Sequence, residues 1–168
     1  MERTMLEVRR ERVAQADAPS ARVLCEALEY ETASAPEFID ITEDVIRVVE
    51  AAGVQFGQVT VFSQHTTAAI KINENEPLLL RDLARTLCQF APSNAYYEHN
   101  DFSRRTVNMN EDECANGHAH CQHLFLGTSE TIPVVDGRVT LGQWQRVFLV
   151  ELDHPRMRRV LVNVVGAG

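Results

Sequence analysis

Histidine is the residue type whose placement first suggests chemistry. Five of the six, His65, His99, His118, His120 and His123, fall between residues 65 and 123, in polar stretches instead of apolar runs. Three neutral imidazoles around a divalent cation leave one position open for water, the arrangement of catalytic zinc. Unrelated surface histidines would give the same distribution, and the residues alone do not choose between the two. Asn73, Glu74 and Glu76 precede Pro77. A carboxylate there can serve as a general base, or simply cap a helix opening at Pro77 and meet its dipole. Glu151, Asp153 and Arg156 follow a strongly apolar run. Arg156 can grip a phosphate while the carboxylates hold Mg²⁺, or the set can form an Asp-Pro-Arg type of turn closed by its own salt bridge. Thr66 and Thr67 can orient His65 or be ordinary turn residues. Trp144 and Gln145 suggest a pocket wall with a polar handle, although a Trp is expected in a core. Gly127-Thr128-Ser129 is a weak anion-binding turn signal.

The elements that must position these residues are legible in part. Residues 1–20 are charged and close on Ala16-Asp17-Ala18-Pro19-Ser20, which predicts a mobile or loosely packed extension ahead of a domain over 21–168. Val23–Tyr30 reads as a strand. Phe38–Gly53 reads as a helix with Thr42 as cap, an apolar stripe of Ile41, Val45, Val48, Val49 and Ala52, and Gly53 as stop. Gln58–Ser63 is a short β-branched strand. A helix starts near Pro77 and should bury Leu79, Leu80, Leu83, Leu87 and Phe90. Residues 91–117 read as a long polar loop, a length that is usually functional or disordered. "NGHAHCQHLFLG" reads as a short helix from Asn116 ended by Gly127, with a strand as the alternative. Asp136-Gly137 is a two-residue hairpin turn, and Trp144–Leu152 and Arg159–Val165 complete a β-rich second half. Helices and strands interleave without regular βαβ alternation, so the fold class is α+β, one domain with a mixed or antiparallel sheet and helices packed on it.

Composition bounds the function. The 168 residues suffice for one domain with a real core, at 45% hydrophobic and 24% charged. A net charge of −8 disfavours general nucleic-acid binding. No apolar run approaches a membrane span, and the N-terminus lacks the apolar core of a signal peptide, so a cytoplasmic location is expected. All basic residues but Lys71 are Arg, which suits bidentate phosphate or carboxylate contacts. Cys25, Cys88, Cys114 and Cys121 show no CxxC spacing and are expected as reduced thiols. Cys121, among the histidines, is a candidate ligand or a small buried side chain.

Five motifs occur in order: "HTTAAIKINENEP" (65–77), "YYEHN" (96–100), "NGHAHCQHLFLG" (116–127), "IPVVDGRVTLGQWQ" (132–145) and "ELDHPRMRRV" (151–160). Together they make the chain resemble the YjbQ family over about residues 22–166. Gln143 stands where that pattern usually has Thr, His154 where it usually has Gly, and His118 and His123 look like additions. The resemblance implies a homotrimer with pockets where subunits meet, and a divalent metal held by the histidines of HTT, YYxH and NxxxH. Here these are His65, His99 and His120. It also implies a small, phosphorylated substrate, and a link to thiamine-phosphate synthesis from a pyrimidine diphosphate and a thiazole phosphate. Glu74, in the motif's Asn-Glu pair, and Arg156 are then the candidate catalytic residues. Zinc suits the histidines, whereas Mg²⁺ suits the departure of diphosphate. The alternatives are a zinc-dependent hydrolase with Glu74 as proton shuttle, or a trimer that binds a metabolite or metal without turnover.

Overall fold

The computed structural model describes residues 9–18 and 21–168; residues 1–8 and 19–20 lie outside the described residues. The chain runs β1 (Arg9–Ala18), β2 (Ala21–Glu31), β3 (Glu37–Asp40), α1 (Thr42–Ala52), β4 (Phe56–Ser63), β5 (Ala68–Glu74) and α2 (Pro77–Phe90). After a 3₁₀ turn at Glu98–Asn100 come α3 (Gly117–Leu126), β6 (Ser129–Val135), β7 (Arg138–Val139), β8 (Gln145–Glu151) and β9 (Met157–Ala167). The described pairings are antiparallel and build a six-stranded sheet, β1-β2-β9-β4-β6-β7, and a three-stranded sheet, β3-β8-β5. No helix among the described residues is long and apolar enough to cross a membrane.

The layers follow from which faces are apolar. Val59, Val61, Val160, Val162 and Val164 alternate inward from β4 and β9 and meet Val45, Val48 and Val49 of α1. Val147 and Leu149 of β8 and Ile70 of β5 join the same core from the small sheet. The opposite face of the small sheet, Ala69, Phe148 and Val150, packs against Ala119 of α3 and Leu80 and Leu87 of α2. The small sheet is therefore sandwiched, and β8 must be apolar on both faces. Its unbroken "VFLV" run is the signature of that position.

Several elements depart from the sequence reading. Phe38–Asp40 is strand β3, because the edge of β8 pairs with it and Ile39 faces Leu149. Ile41 occupies the cap position of α1 without a side-chain bond. Thr42, expected to cap, instead donates its hydroxyl to Asp40 Oδ1 at 2.6 Å and accepts the Val147 N–H at 2.8 Å. Gly53 ends the helix at φ +61° as expected. Residues 9–18 are no loose extension: they pair with β2 from Ala21 to Glu29. The apolar face of α2 is only half covered, with no residue of that helix fully buried. Trp144 is 65% exposed instead of buried, since it lies in the turn before β8, outside both cores.

Candidate functional site

The β4–β5 turn, the β8–β9 turn, the end of the 91–116 loop and the start of α3 meet at one end of the small sheet. Buried charges fix the two turns to one another. Arg158 Nε donates to Glu151 Oε2 at 2.6 Å, and its Nη2 donates to Thr67 Oγ1 at 3.1 Å. Thr32 donates to the same Glu151 Oε2 at 3.0 Å. Burial alone would raise the Glu151 pKa, but the hydrogen bonds from Arg158 and from the Asp153 N–H outweigh it and hold the carboxylate ionised.

His65 sits in this framework. The Arg159 N–H donates to its Nε2 at 2.8 Å, which places the ring proton on Nδ1. Burial, then repulsion by Arg158, lowers its pKa. His99, in the 3₁₀ turn, and His120, on α3, stand edge-on with ring centroids 4.6 Å apart. Asn100 Oδ1 accepts the Gly117 N–H at 2.9 Å and so joins the turn to the helix start. Gly117 is needed there, because a Cβ would lie 2.6 Å from Tyr97 Cβ. The Nε2 of His99 is buried and has no hydrogen-bond partner. Burial, then the charge of His99, lowers the pKa of His120. A cavity of about 430 Å³ opens beside His99, with Arg104, Arg105 and Asn108 in its wall. Arg105 is held by Glu113 at 3.1 Å and by the Asn108 carbonyl at 2.6 Å.

The β8–β9 turn contributes a second cluster. Arg156 pairs with Asp153, and its Nη2 lies 2.7 Å from His154 Nδ1. The self-closed turn is thus the arrangement seen. Cys114 Sγ reaches both Asp153 oxygens at 3.9 Å and His154 Nδ1 at 3.6 Å. Burial, then the negative charge of Asp153, pushes the Cys114 thiol pKa up. Asn116 Nδ2 donates to Asp153 at 3.3 Å.

The fold therefore brings His99 and His120 together and sets His65 and Arg156 in the adjoining turns. Glu74 lies elsewhere in the chain. It is at the far end of β5, opposite Gln145, while Ala68 at the near end faces Glu151, a separation of about 20 Å along the strand. Glu76, not Glu74, caps α2, accepting from the Leu78 and Leu79 N–H groups. Asp82 pairs with Arg85 at 2.6 Å within the same helix. Among the described residues, the one group of three potential metal donors within 4.8 Å of one another is Cys114, Asp153 and His154, not the three histidines. Sequence reasoning gave Cys114 no role beyond a reduced thiol and did not single out Arg104 and Arg105, which sit in a loop without periodicity.

The family pattern described as "UPF0047 protein YjbQ-like" matches residues 26–167. The chain belongs to this family. A UPF0047 protein of Methanothermobacter thermautotrophicus is 41% identical over 144 residues, covering 86% of this chain and 93% of that protein. The Bacillus subtilis UPF0047 protein YugU is 30% identical, over 85% of this chain and all of its own length. Among solved structures, a YbjQ-like protein of unknown function from Sulfolobus solfataricus superposes with a TM-score of 0.78 at 34% identity, covering 87% of this chain and 99% of that one. The family match begins at residue 26, so β1 precedes it.

Proposed function

We propose that this UPF0047 chain is a metal-dependent enzyme acting on a small, phosphorylated substrate beside His99 and His120. One observation carries the reading: a buried imidazole nitrogen, His99 Nε2, has no partner and belongs to a ring packed against a second histidine. Leaving such an acceptor or donor unpaired costs about 1–3 kcal/mol, and a cation ligated there removes the cost. Imidazole donors favour zinc over Mg²⁺. Burial first and His99 second lower the pKa of His120, which favours the neutral imidazole that a metal ligand must be. His65 has committed the Nε2 lone pair to the Arg159 N–H and carries its ring proton on Nδ1, so neither nitrogen is free for a metal. A bound zinc would supply a Lewis acid able to bring water towards neutral pKa.

The rest belongs to the chain's own side chains. Arg105, oriented by Glu113, and the exposed Arg104 line the cavity next to His99 and offer forked donors for a phosphate. Arg156 is engaged with Asp153 and is the less available cation. This chemistry fits hydrolysis of a phosphorylated metabolite better than thiamine-phosphate formation, in which departing diphosphate calls for carboxylate-bound Mg²⁺.

Elemental analysis after identical dialysis tests the reading. His99→Ala and His120→Ala should lose most bound zinc, His65→Ala should keep it, and Arg105→Ala should weaken inorganic phosphate binding without loss of metal. Full zinc occupancy in both His99→Ala and His120→Ala overturns the reading.

A further inference from the structure

We propose that Cys114, Asp153 and His154 form a second cation site, for a borderline-soft divalent ion such as Zn²⁺, and that Arg156 occupies it until the metal arrives. The site shares no ligand with the His99–His120 reading and stands independently of it.

The first argument is donor spacing. Tetrahedral zinc with bonds of roughly 2.0–2.3 Å places its sulfur, nitrogen and oxygen donors roughly 3.3–3.6 Å apart. Here Cys114 Sγ and His154 Nδ1 are 3.6 Å apart, Cys114 Sγ and the Asp153 oxygens 3.9 Å, and His154 Nδ1 and Asp153 Oδ1 3.0 Å. Each separation thus lies within about 0.3 Å of one face of a zinc-sized tetrahedron. A catalytic Cys-His-Asp relay would look different, because its carboxylate and its sulfur use opposite nitrogens of the imidazole. In this chain both approach the same nitrogen, Nδ1. Convergence on one point is what a shared cation requires.

The second argument is that a cation is already there. The Arg156 guanidinium meets Asp153 through the same Nη2 that lies 2.7 Å from His154 Nδ1. It is an imperfect occupant: Arg156 Nε is buried without a hydrogen-bond partner. The side chain is 36% exposed and has solvent to swing into. Asp153, in contrast, is only 3% exposed and needs a positive partner at all times. Asn116 supplies a third observation. It is 8% exposed, its Nδ2 faces Asp153 at 3.3 Å, and its Oδ1 is buried and unpartnered. That oxygen, or a water, can complete the fourth position.

Sulfur selects the ion. Thiolate with imidazole and one carboxylate suits Zn²⁺ or Co²⁺ and rejects Mg²⁺ and Ca²⁺. On binding, Sγ loses its proton to solvent, the sulfur–metal bond forms and Arg156 leaves for water; no electron is transferred.

Co²⁺ is the probe, because thiolate coordination produces a sulfur-to-cobalt charge-transfer band in the near ultraviolet and imidazole coordination does not. The full-length, chelator-stripped protein titrated with Co²⁺ should develop that band. Cys114→Ser should abolish the band while leaving cobalt bound at His99, and Cys88→Ser should leave it intact. His154→Ala should weaken binding roughly 10–100-fold. Arg156→Gln, which removes the incumbent cation, should tighten it. Cys114 and His154 are both partly open to solvent, so their replacement leaves the cores untouched. A wild-type protein without the band, a band that survives Cys114→Ser, or weaker binding in Arg156→Gln overturns the proposal. Loss of the histidine-bound metal in His99→Ala with the band retained would bear on the proposed function alone.

Discussion

Arg158 and Glu151 are 2% and 0% exposed at their side chains, so neither charge has water to fall back on. Their worth lies in mutual satisfaction: Glu151 also accepts from Thr32 and Asp153, and Arg158 also donates to Thr67. Removing one partner strands the other. Glu151→Ala should therefore cost about 3–5 kcal/mol, read from the urea midpoint, whereas a paired apolar replacement at both positions should cost far less. The titratable groups here also set how stability depends on pH. His65 has its folded pKa below the ordinary 6.5, by burial first and Arg158 second, so the unfolded chain binds the proton more tightly. Its contribution is complete above about 6.5 and is lost as pH falls through the lower folded value. Glu151 acts in the same direction lower down, its contribution complete above 4.5 and lost as pH falls beneath that. The melting temperature should fall in two stages on acidification, the first below pH 6.5. His120 and His123, whose pKa values are lowered by burial as well, add to that first stage, so His65→Gln should diminish it, and an unchanged profile in that variant would show that His65 does not contribute.

The legibility of each element tracks whether its signal is local. Helix α1 carries its stripe and its glycine stop within one segment, α3 ends at Gly127, and the β6–β7 hairpin turns on Asp136 at φ +51° and Gly137 at φ +72°. Those were readable. β3 was not, because four residues become a strand only where β8 offers an edge, and β5 hid inside a motif that drew attention for its polar residues. The candidate site divides along the same line. His99 and His120 lie in motifs that stand out in the sequence, but Cys114 meets Asp153 across 39 residues of chain, and nothing local announces that contact. Glycines in β4 and β9 make a further element-level test. Gly57 and Gly166 are register partners, and a Cβ on Gly57 would lie 2.1 Å from the Val165 carbonyl oxygen. That obstacle is backbone and cannot rotate away. Gly57→Ala should destabilise by about 1–3 kcal/mol in chemical denaturation, whereas Gly127→Ala, whose Cβ would meet nothing within 4 Å, should carry only the strain of its φ of +85°.

At the scale of the molecule, the ends of α2 and α3 carry an apolar surface that no described residue covers. Phe90, Leu124 and Phe125 are 55%, 80% and 60% exposed, and Phe90 and Phe125 pack edge-on at 4.2 Å, which joins the end of α2 to α3 as one patch. Single exposed apolar residues are ordinary, but contiguous ones on two neighbouring helices mark a surface that meets another protein. The half-covered leucines of α2 fit the same account: a helix whose apolar face is finished by a second copy need not bury any residue fully in its own chain. The small sheet adds two edges, β3 and β5, which a partner can also shield. We propose that further copies of the chain cover this patch, in the trimer that the resemblance implies. Light scattering at micromolar concentration should give about three times the 18.9 kDa chain mass. Leu124→Glu combined with Phe125→Glu places two carboxylates in the patch without touching either core, so it should yield a folded monomer with an unchanged far-ultraviolet spectrum. A wild-type protein that already scatters as a monomer removes the trimer, and a double variant that keeps the trimer mass moves the interface off this patch.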